Sequence, residues 1–254
     1  MEGSSEKRRF TKSSLIIGRQ PVIEAIESGR SIDKILLQTN VSGENIGRIR
    51  QLARERHIPL QAVPAEKLFS LTRSNHQGCI AFAALLQYVD LQQAIDHVVG
   101  NGQTPLFLML DGVTDVRNIG GMARTAVCCG AQVLIVPDKG VGALNEEALK
   151  ASAGALEKIQ VCRVGSLLKA IEDLRLNGIR AYVSGIKEGK EMEEIDFTEP
   201  CCLIMGSEGR GVQPYISKAS DERFFIPMSG GFDSFNVSVA AGIILYEALK
   251  QRRQ

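Results

Sequence analysis

Leu106-Phe-Leu-Met-Leu110 runs directly into Asp111-Gly-Val-Thr-Asp-Val-Arg-Asn-Ile-Gly-Gly121. Five apolar residues without alternation suit a strand whose two faces are both covered, as in a parallel sheet under helices. The polar, glycine-rich run after it reads as the loop that such a strand delivers to the sheet's edge. The same unit recurs downstream. Apolar strands are expected at Val133-Leu-Ile-Val136, Gln160 to Val164, Ala181 to Ser184, Cys201 to Met205 and Arg223 to Ile226. Helical periodicity falls between them, from Ile119 to Cys129, around Glu146 to Leu156, near Ser166 to Asn177 and from Val237 to Gln251. This alternation predicts a doubly wound α/β domain.

Two more loops of the same kind follow apolar strands. One is Met205-Gly-Ser-Glu-Gly-Arg-Gly211, and the other is Ile226-Pro-Met-Ser-Gly-Gly-Phe-Asp-Ser-Phe-Asn-Val-Ser-Val-Ala-Ala-Gly242. Polar loops carried by rigid apolar elements are where binding and chemistry concentrate. Three of them suggest one composite site.

The first third has a different grain. Lys34 to Gln38, Leu60 to Val63 and Ile80 to Leu86 read as strands, Gly43 to Arg56 and Ala65 to Leu71 as helices. Arg73-Ser-Asn-His-Gln-Gly78 is a polar loop whose His76 is able to touch RNA or to be an ordinary loop histidine. A turn cluster, Gly100-Asn-Gly-Gln-Thr-Pro105, ends a short amphipathic stretch (Leu91, Ala94, Val98). The expected division is a disordered tail over 1–13, a small α/β domain over 14–90, a linker over 91–105 and the larger domain over 106–254.

Composition narrows the class. The chain has 254 residues, 44% hydrophobic and 23% charged, as ordinary globular proteins do. No apolar run reaches the roughly 20 residues of a spanning helix, and the polar N-terminus lacks a signal peptide's apolar core, so a cytoplasmic protein is expected. Six cysteines occur without a Cys-x-x-Cys, which favours reduced core thiols over zinc. Residues 1–90 carry 13 Lys+Arg against 9 Asp+Glu, a surplus of +4, while the remainder carries 17 against 20. That basic bias fits contact with a polyanion.

The familiar nucleotide motifs fail on residue order. Gly206, Gly209 and Gly211 space as Gly-x-x-Gly-x-Gly, not as a Rossmann fingerprint, and they come late in the domain. Gly189-Lys190 is followed by Glu191, with Ser184 where a P-loop needs its first glycine. The histidines (His57, His76, His97) all precede the three loops, so no Ser-His-Asp set forms there, and no metal cluster is evident. What remains is Asn118, Arg124, Glu208, Ser234 and Asn236 among glycines. That set is suited to positioning and electrostatics, and hence to a reaction whose cofactor brings the activated group.

At these residues the chain resembles the SpoU/TrmH family of RNA 2′-O-ribose methyltransferases. Asn118-Ile-Gly-Gly-Met-Ala-Arg124, Leu203-Ile-Met-Gly-Ser-Glu-Gly-Arg-Gly211 and Ile226 through Ala240 resemble its three motifs in order, with Ser152-Ala-Gly-Ala155 matching its middle segment. The resemblance implies a trefoil-knotted domain over 106–254 that uses S-adenosylmethionine. It implies Gly206, Ile226, Met228 and Phe235 as cofactor contacts, and Arg124, Asn118, Glu208, Ser234 and Asn236 as catalytic residues. It also implies a homodimer through the last helix, with no metal. Gly18-Arg-Gln-Pro-Val22 and His76-Gln-Gly78 resemble the branch that modifies a guanosine of 23S ribosomal RNA, with an RNA-binding first domain. Transfer RNA as substrate, or a non-catalytic RNA-binding or ribosome-assembly role, are the alternatives. Two positions depart from the family's usual pattern: Phe235 stands where Leu is common, and Arg117 where Pro or His precedes Asn118.

Overall fold

A computed structural model describes residues 15–185, 189–231 and 234–253; the tail expected over 1–13 lies outside them. The chain divides into two units, Met1–Leu85 and Leu86–Gln254.

Strict alternation assigns the two faces of the first unit's sheet. Its elements are β1 (Leu15–Ile17), α1 (Arg19–Glu27), β2 (Ile32–Gln38), α2 (Glu44–Glu55), β3 (Leu60–Val63), α3 (Ala65–Leu71) and β4 (Cys79–Ala83). The strand order is β1-β4-β2-β3, with β4 antiparallel to both neighbours and β2 parallel to β3. Ile35, Leu37, Cys79 and Ala81 point to one face and pack with Val22, Ile26, Ile49 and Leu52 of α1 and α2. Leu36 and Ile80, one residue out of phase, meet Val63 of β3 and Leu68 of α3 on the other. Each fully buried Ile or Leu contributes about 1.5–3 kcal/mol, so truncating Ile49 to Ala costs roughly 2–5 kcal/mol. α1 carries no clear periodic signal in sequence, yet Pro21 sits in its first turn, where a missing N–H is harmless. His76, expected in a polar loop either to touch RNA or to be an ordinary loop histidine, is only 5% exposed, and its Nδ1 accepts the Gly78 N–H at 3.0 Å.

The second unit opens with β5 (Tyr88–Val89) and α4 (Leu91–Gly100). The segment 91–105 is therefore not a linker: Leu91, Ala94, Ile95 and Val98 lie one helical face apart and are buried in this unit's core. Then come β6 (Leu106–Asp111), α5 (Val116–Cys128), β7 (Val133–Pro137), α6 (Glu146–Ala151), β8 (Gln160–Val164), α7 (Leu167–Leu176), β9 (Arg180–Gly185), β10 (Lys190–Glu191), β11 (Cys201–Gly206), α8 (Pro214–Ala219), β12 (Glu222–Phe225) and α9 (Val237–Arg252). The sheet order is β10-β12-β9-β11-β6-β7-β8-β5, and the described pairings are all parallel. β6 and β11 lie side by side at the centre and are buried along their whole length. Burial pushes the thiol of Cys162 up to about 12 and that of Cys201 up to about 11. Among the described residues no helix is long and apolar enough to cross a membrane, and no group of His, Cys, Asp or Glu is placed to hold a metal ion.

Candidate active site

The central strands β6 and β11 both release their chains at one edge of the sheet, and the site is built from the segments that leave there. After β6, Asp115 caps α5 by accepting the Arg117 N–H at 2.8 Å, which holds its carboxyl below the ordinary range. α5 therefore starts at Val116, three residues before the expected Ile119. Asn118 falls inside the first turn with its side chain unused by capping. Behind it, a Cβ on Gly120 would strike the Ala151 Cβ at 2.6 Å and the Ala148 oxygen at 2.7 Å. α5 and α6 thus touch where Ser152-Ala-Gly-Ala155 begins.

After β11 the chain reverses tightly. Ser207 and Gly211 exchange backbone hydrogen bonds of 3.0 and 2.9 Å, leaving Glu208, Gly209 and Arg210 at the tip. Gly209 and Gly211 take positive φ, and any Cβ at Gly206 would overlap the Gly211 carbonyl carbon and the Val212 nitrogen. Asp111, 1% exposed, fastens the exit of this turn: its carboxylate accepts the Gln213 N–H at 2.7 Å and Nε2–H at 2.6 Å.

The third run supplies Asn236, the cap of α9, whose Oδ1 accepts the Ser238 N–H at 2.9 Å. Its Nδ2 donates to Glu208 Oε1, the same oxygen that accepts from Asn118 Nδ2 at 2.9 Å. One carboxylate thus ties together all three motif runs. It sits by the N-terminal turns of both α5 and α9, where the helix dipoles favour negative charge.

Beside this triad lies a cavity of about 580 Å³, within the size range of small-molecule sites. Of the residues expected at the cofactor, Gly206, Ile226, Met228 and Phe235 all line it, as do Glu208, Ser234 and Asn236. Val183, Ser184 and Gly185 at the end of β9, together with Ser217 and Arg223, complete the wall. Sequence reasoning missed these five; the glycine closing β9 was the one available signal. Apolar Met205, Ile226, Met228 and Val237 alternate with serines and backbone polar groups, a lining that fits an adenosine joined to a charged amino-acid tail.

Asn118 and Arg124 do not line the cavity. Arg124 lies six residues beyond Asn118, about 9 Å along α5. It is exposed and, among the described residues, its guanidinium has no hydrogen bond or ion pair. With Arg117 and Cys128 it falls at i, i+7 and i+11 on one side of α5, and all three are exposed.

Residues 105–246 match the SpoU rRNA Methylase family, and residues 15–89 match the domain described as RNA 2′-O ribose methyltransferase substrate binding. The chain belongs to the SpoU methyltransferase family. A protein of Staphylococcus saprophyticus named as a TrmH family tRNA/rRNA methyltransferase is 35% identical over 238 residues, 94% of this chain and 96% of that one. The SpoU methyltransferase AviRb from Streptomyces viridochromogenes, solved in complex with AdoMet, is similar at TM-score 0.60 and 26% identity, covering 99% of this chain and 95% of its own. The TrmH/SpoU tRNA-modifying enzyme of A. aeolicus is similar at TM-score 0.54 and 28% identity, over 64% of this chain and 84% of its own.

The second unit therefore has the trefoil-knot fold of SpoU methyltransferases, preceded by a small substrate-binding domain, and the enzyme uses S-adenosylmethionine to methylate RNA ribose. The tight reversal after β11 gives the reason for Gly206: the returning Gly211–Val212 backbone occupies the space a side chain would need.

Proposed function

We propose that this SpoU enzyme methylates the ribose 2′-OH of a guanosine in 23S ribosomal RNA, in the cytoplasm and as a homodimer. The observation that carries the substrate reading is the first unit. It is a complete domain with its own core, matched over 15–89 to RNA substrate binding. The A. aeolicus tRNA-modifying enzyme covers only 64% of this chain, so a tRNA substrate does not by itself call for the additional domain. Dimerisation through α9 is supported by its exposed apolar stripe, with Val239 50% and Tyr246 65% exposed on the same face, seven residues apart. A concentration-independent monomer in sedimentation would overturn that part.

When bound, the cofactor supplies a methyl group already activated by a sulfonium. The protein's task is to align the ribose oxygen and ease its deprotonation. In our reading Gly206, Ile226, Met228 and Phe235 hold the cofactor, and Ser234 shapes the edge shared with the ribose. Glu208 fixes Asn118 and Asn236 so that the motif runs keep one geometry. Arg124, its donors free, pairs with an RNA phosphate and stabilises the alkoxide that develops on O2′. A guanidinium does not give up its proton in proteins, so the 2′-OH proton passes to phosphate oxygen or water.

The test is methyl transfer from labelled S-adenosylmethionine to separated, unmodified 23S, 16S and transfer RNA, followed by mapping of 2′-O-methyl positions. A single guanosine in 23S RNA is expected. Label on transfer RNA alone would keep the chemistry and overturn the substrate. Cofactor binding with no label on any RNA would favour a non-catalytic role.

A further inference from the structure

We propose that Phe69, on α3 of the first unit, is the platform on which an unpaired base of the RNA substrate stacks. The proposal rests on the RNA-methyltransferase reading and says where, on the substrate-binding domain, the nucleic acid is held. α3 is anchored by Leu68, which is fully buried against Leu36 and Ile80. The next residue, Phe69, is 62% exposed, the only large apolar side chain so exposed among the described residues of this unit.

The ring is backed rather than loose. His76 meets it edge to face, with centroids 4.6 Å apart and planes at 66°. His76 is itself fixed, because its Nδ1 accepts the Gly78 N–H. That bond puts the neutral ring's proton on Nε2, and Nε2 is buried with no hydrogen-bond partner. Buried donors are paired in nearly all folded proteins. Among the described residues it is the one buried side-chain polar atom without a partner, and it lies in the ring that supports Phe69.

The surroundings select the ligand class. Lys67 and Arg73 flank Phe69 in sequence, both exposed, and among the described residues neither side chain has an ion pair or hydrogen bond. Ser70, Ser74 and Asn75 supply further polar groups, and Glu66 is the single carboxylate on α3. One ring amid free cations and small polar groups is too small an apolar surface for a protein partner. It matches the aromatic-plus-cation arrangement that stacks single-stranded bases while holding the phosphates on either side. In an A-form duplex the base faces are already stacked on one another, so the contact requires an unpaired nucleotide.

The chain contains no tryptophan, so Phe69→Trp places a single fluorophore at the proposed platform of the full-length enzyme. Its emission should be solvent-like in the free protein. It should be quenched by a mixed-sequence single-stranded oligoribonucleotide and by whichever RNA accepts label in the methyl-transfer assay, and not by a perfect RNA duplex. Phe69→Ala should raise KM for the labelled RNA between about 5- and 150-fold, the range that base stacking on an aromatic side chain spans. The kcat at saturating RNA and the affinity for S-adenosylmethionine should stay unchanged. Because the side chain is mostly exposed, the melting temperature should also hold, which separates a lost contact from a lost fold. A wild-type KM in Phe69→Ala, or a buried-type emission indifferent to single-stranded RNA, would overturn the proposal. If no RNA accepts a methyl group, the functional reading above fails, while the quenching experiment still decides the stacking platform.

Discussion

The two ends of α9 treat arginine in opposite ways. At the C-terminal end the Arg252 guanidinium donates to the carbonyls of Phe197 at 2.7 Å, Thr104 at 2.9 Å, and Pro105 and Glu199 both at 2.8 Å. Almost every donor direction is filled by backbone, and the last helix is locked to the starts of β6 and β11. Toward the N-terminal end α9 packs on α5, with Gly121 close to Ser238 and Gly242 close to Thr125. There Arg124, the neighbour of those contacts, is left with all its donors to solvent. An arginine whose fork is filled holds the fold together. One left unfilled on an exposed helix face retains its binding capacity for something the chain does not itself contain.

That contrast is open to test. Arg124→Ala is expected to lower single-turnover methyl transfer by about 10²–10³-fold, the scale of losing one donor to a developing oxyanion, with cofactor affinity by calorimetry nearly unchanged. Activity near wild type would remove Arg124 from the chemistry. Arg252→Met should do the reverse. It leaves several carbonyls without their charged donor, costs about 3 kcal/mol in denaturant unfolding, and preserves turnover per folded molecule. Gly206→Ala should fall between the two, since the added methyl must displace backbone. A stability loss of roughly 1–3 kcal/mol together with weakened cofactor binding is expected, read by melting with and without S-adenosylmethionine. Glu208→Gln removes the charge but keeps an oxygen near Asn118 and Asn236. A fall in kcat of about 5- to 10-fold, with stability within about 0.5 kcal/mol, would mark it as a positioning group. The smallest effect is a silent one. Native alkylation should modify Cys128 alone, because it is the one exposed cysteine, while burial raises the thiols of Cys79, Cys129, Cys162, Cys201 and Cys202.

Much of this was legible in the chain itself, and the part that was not has physical reasons. The alternation of apolar strands and helices from Leu106 onward predicted the α/β unit; of the three glycine-rich runs, the second and third line the pocket, while the first meets them through Asn118 and Glu208. Both signals are local, and local signals survive in sequence. The reading of 91–105 as a linker failed because the turn cluster after Gly100 was weighed above the helical spacing of Leu91, Ala94, Ile95 and Val98. The start of α5, expected at Ile119, lies at Val116 because Asp115 caps the helix while Asn118 turns its side chain to Glu208. Contacts such as Asp111 to Gln213, 102 residues apart, leave no local trace. Nor does the strand order, in which β11 lies between β9 and β6. Such features arise from how distant segments pack, which a periodicity cannot carry.

The order in which the pocket's walls occur along the chain has a consequence for biosynthesis. The small domain's last strand ends at Ala83, so its four-stranded sheet has all its parts while two thirds of the chain is still untranslated. The pocket draws on Val183 through Ala240, and Ile226, Met228 and Asn236 in its wall follow the last strand of the sheet. A nascent chain at the ribosome therefore presents the small substrate-binding domain before the wall of the pocket exists.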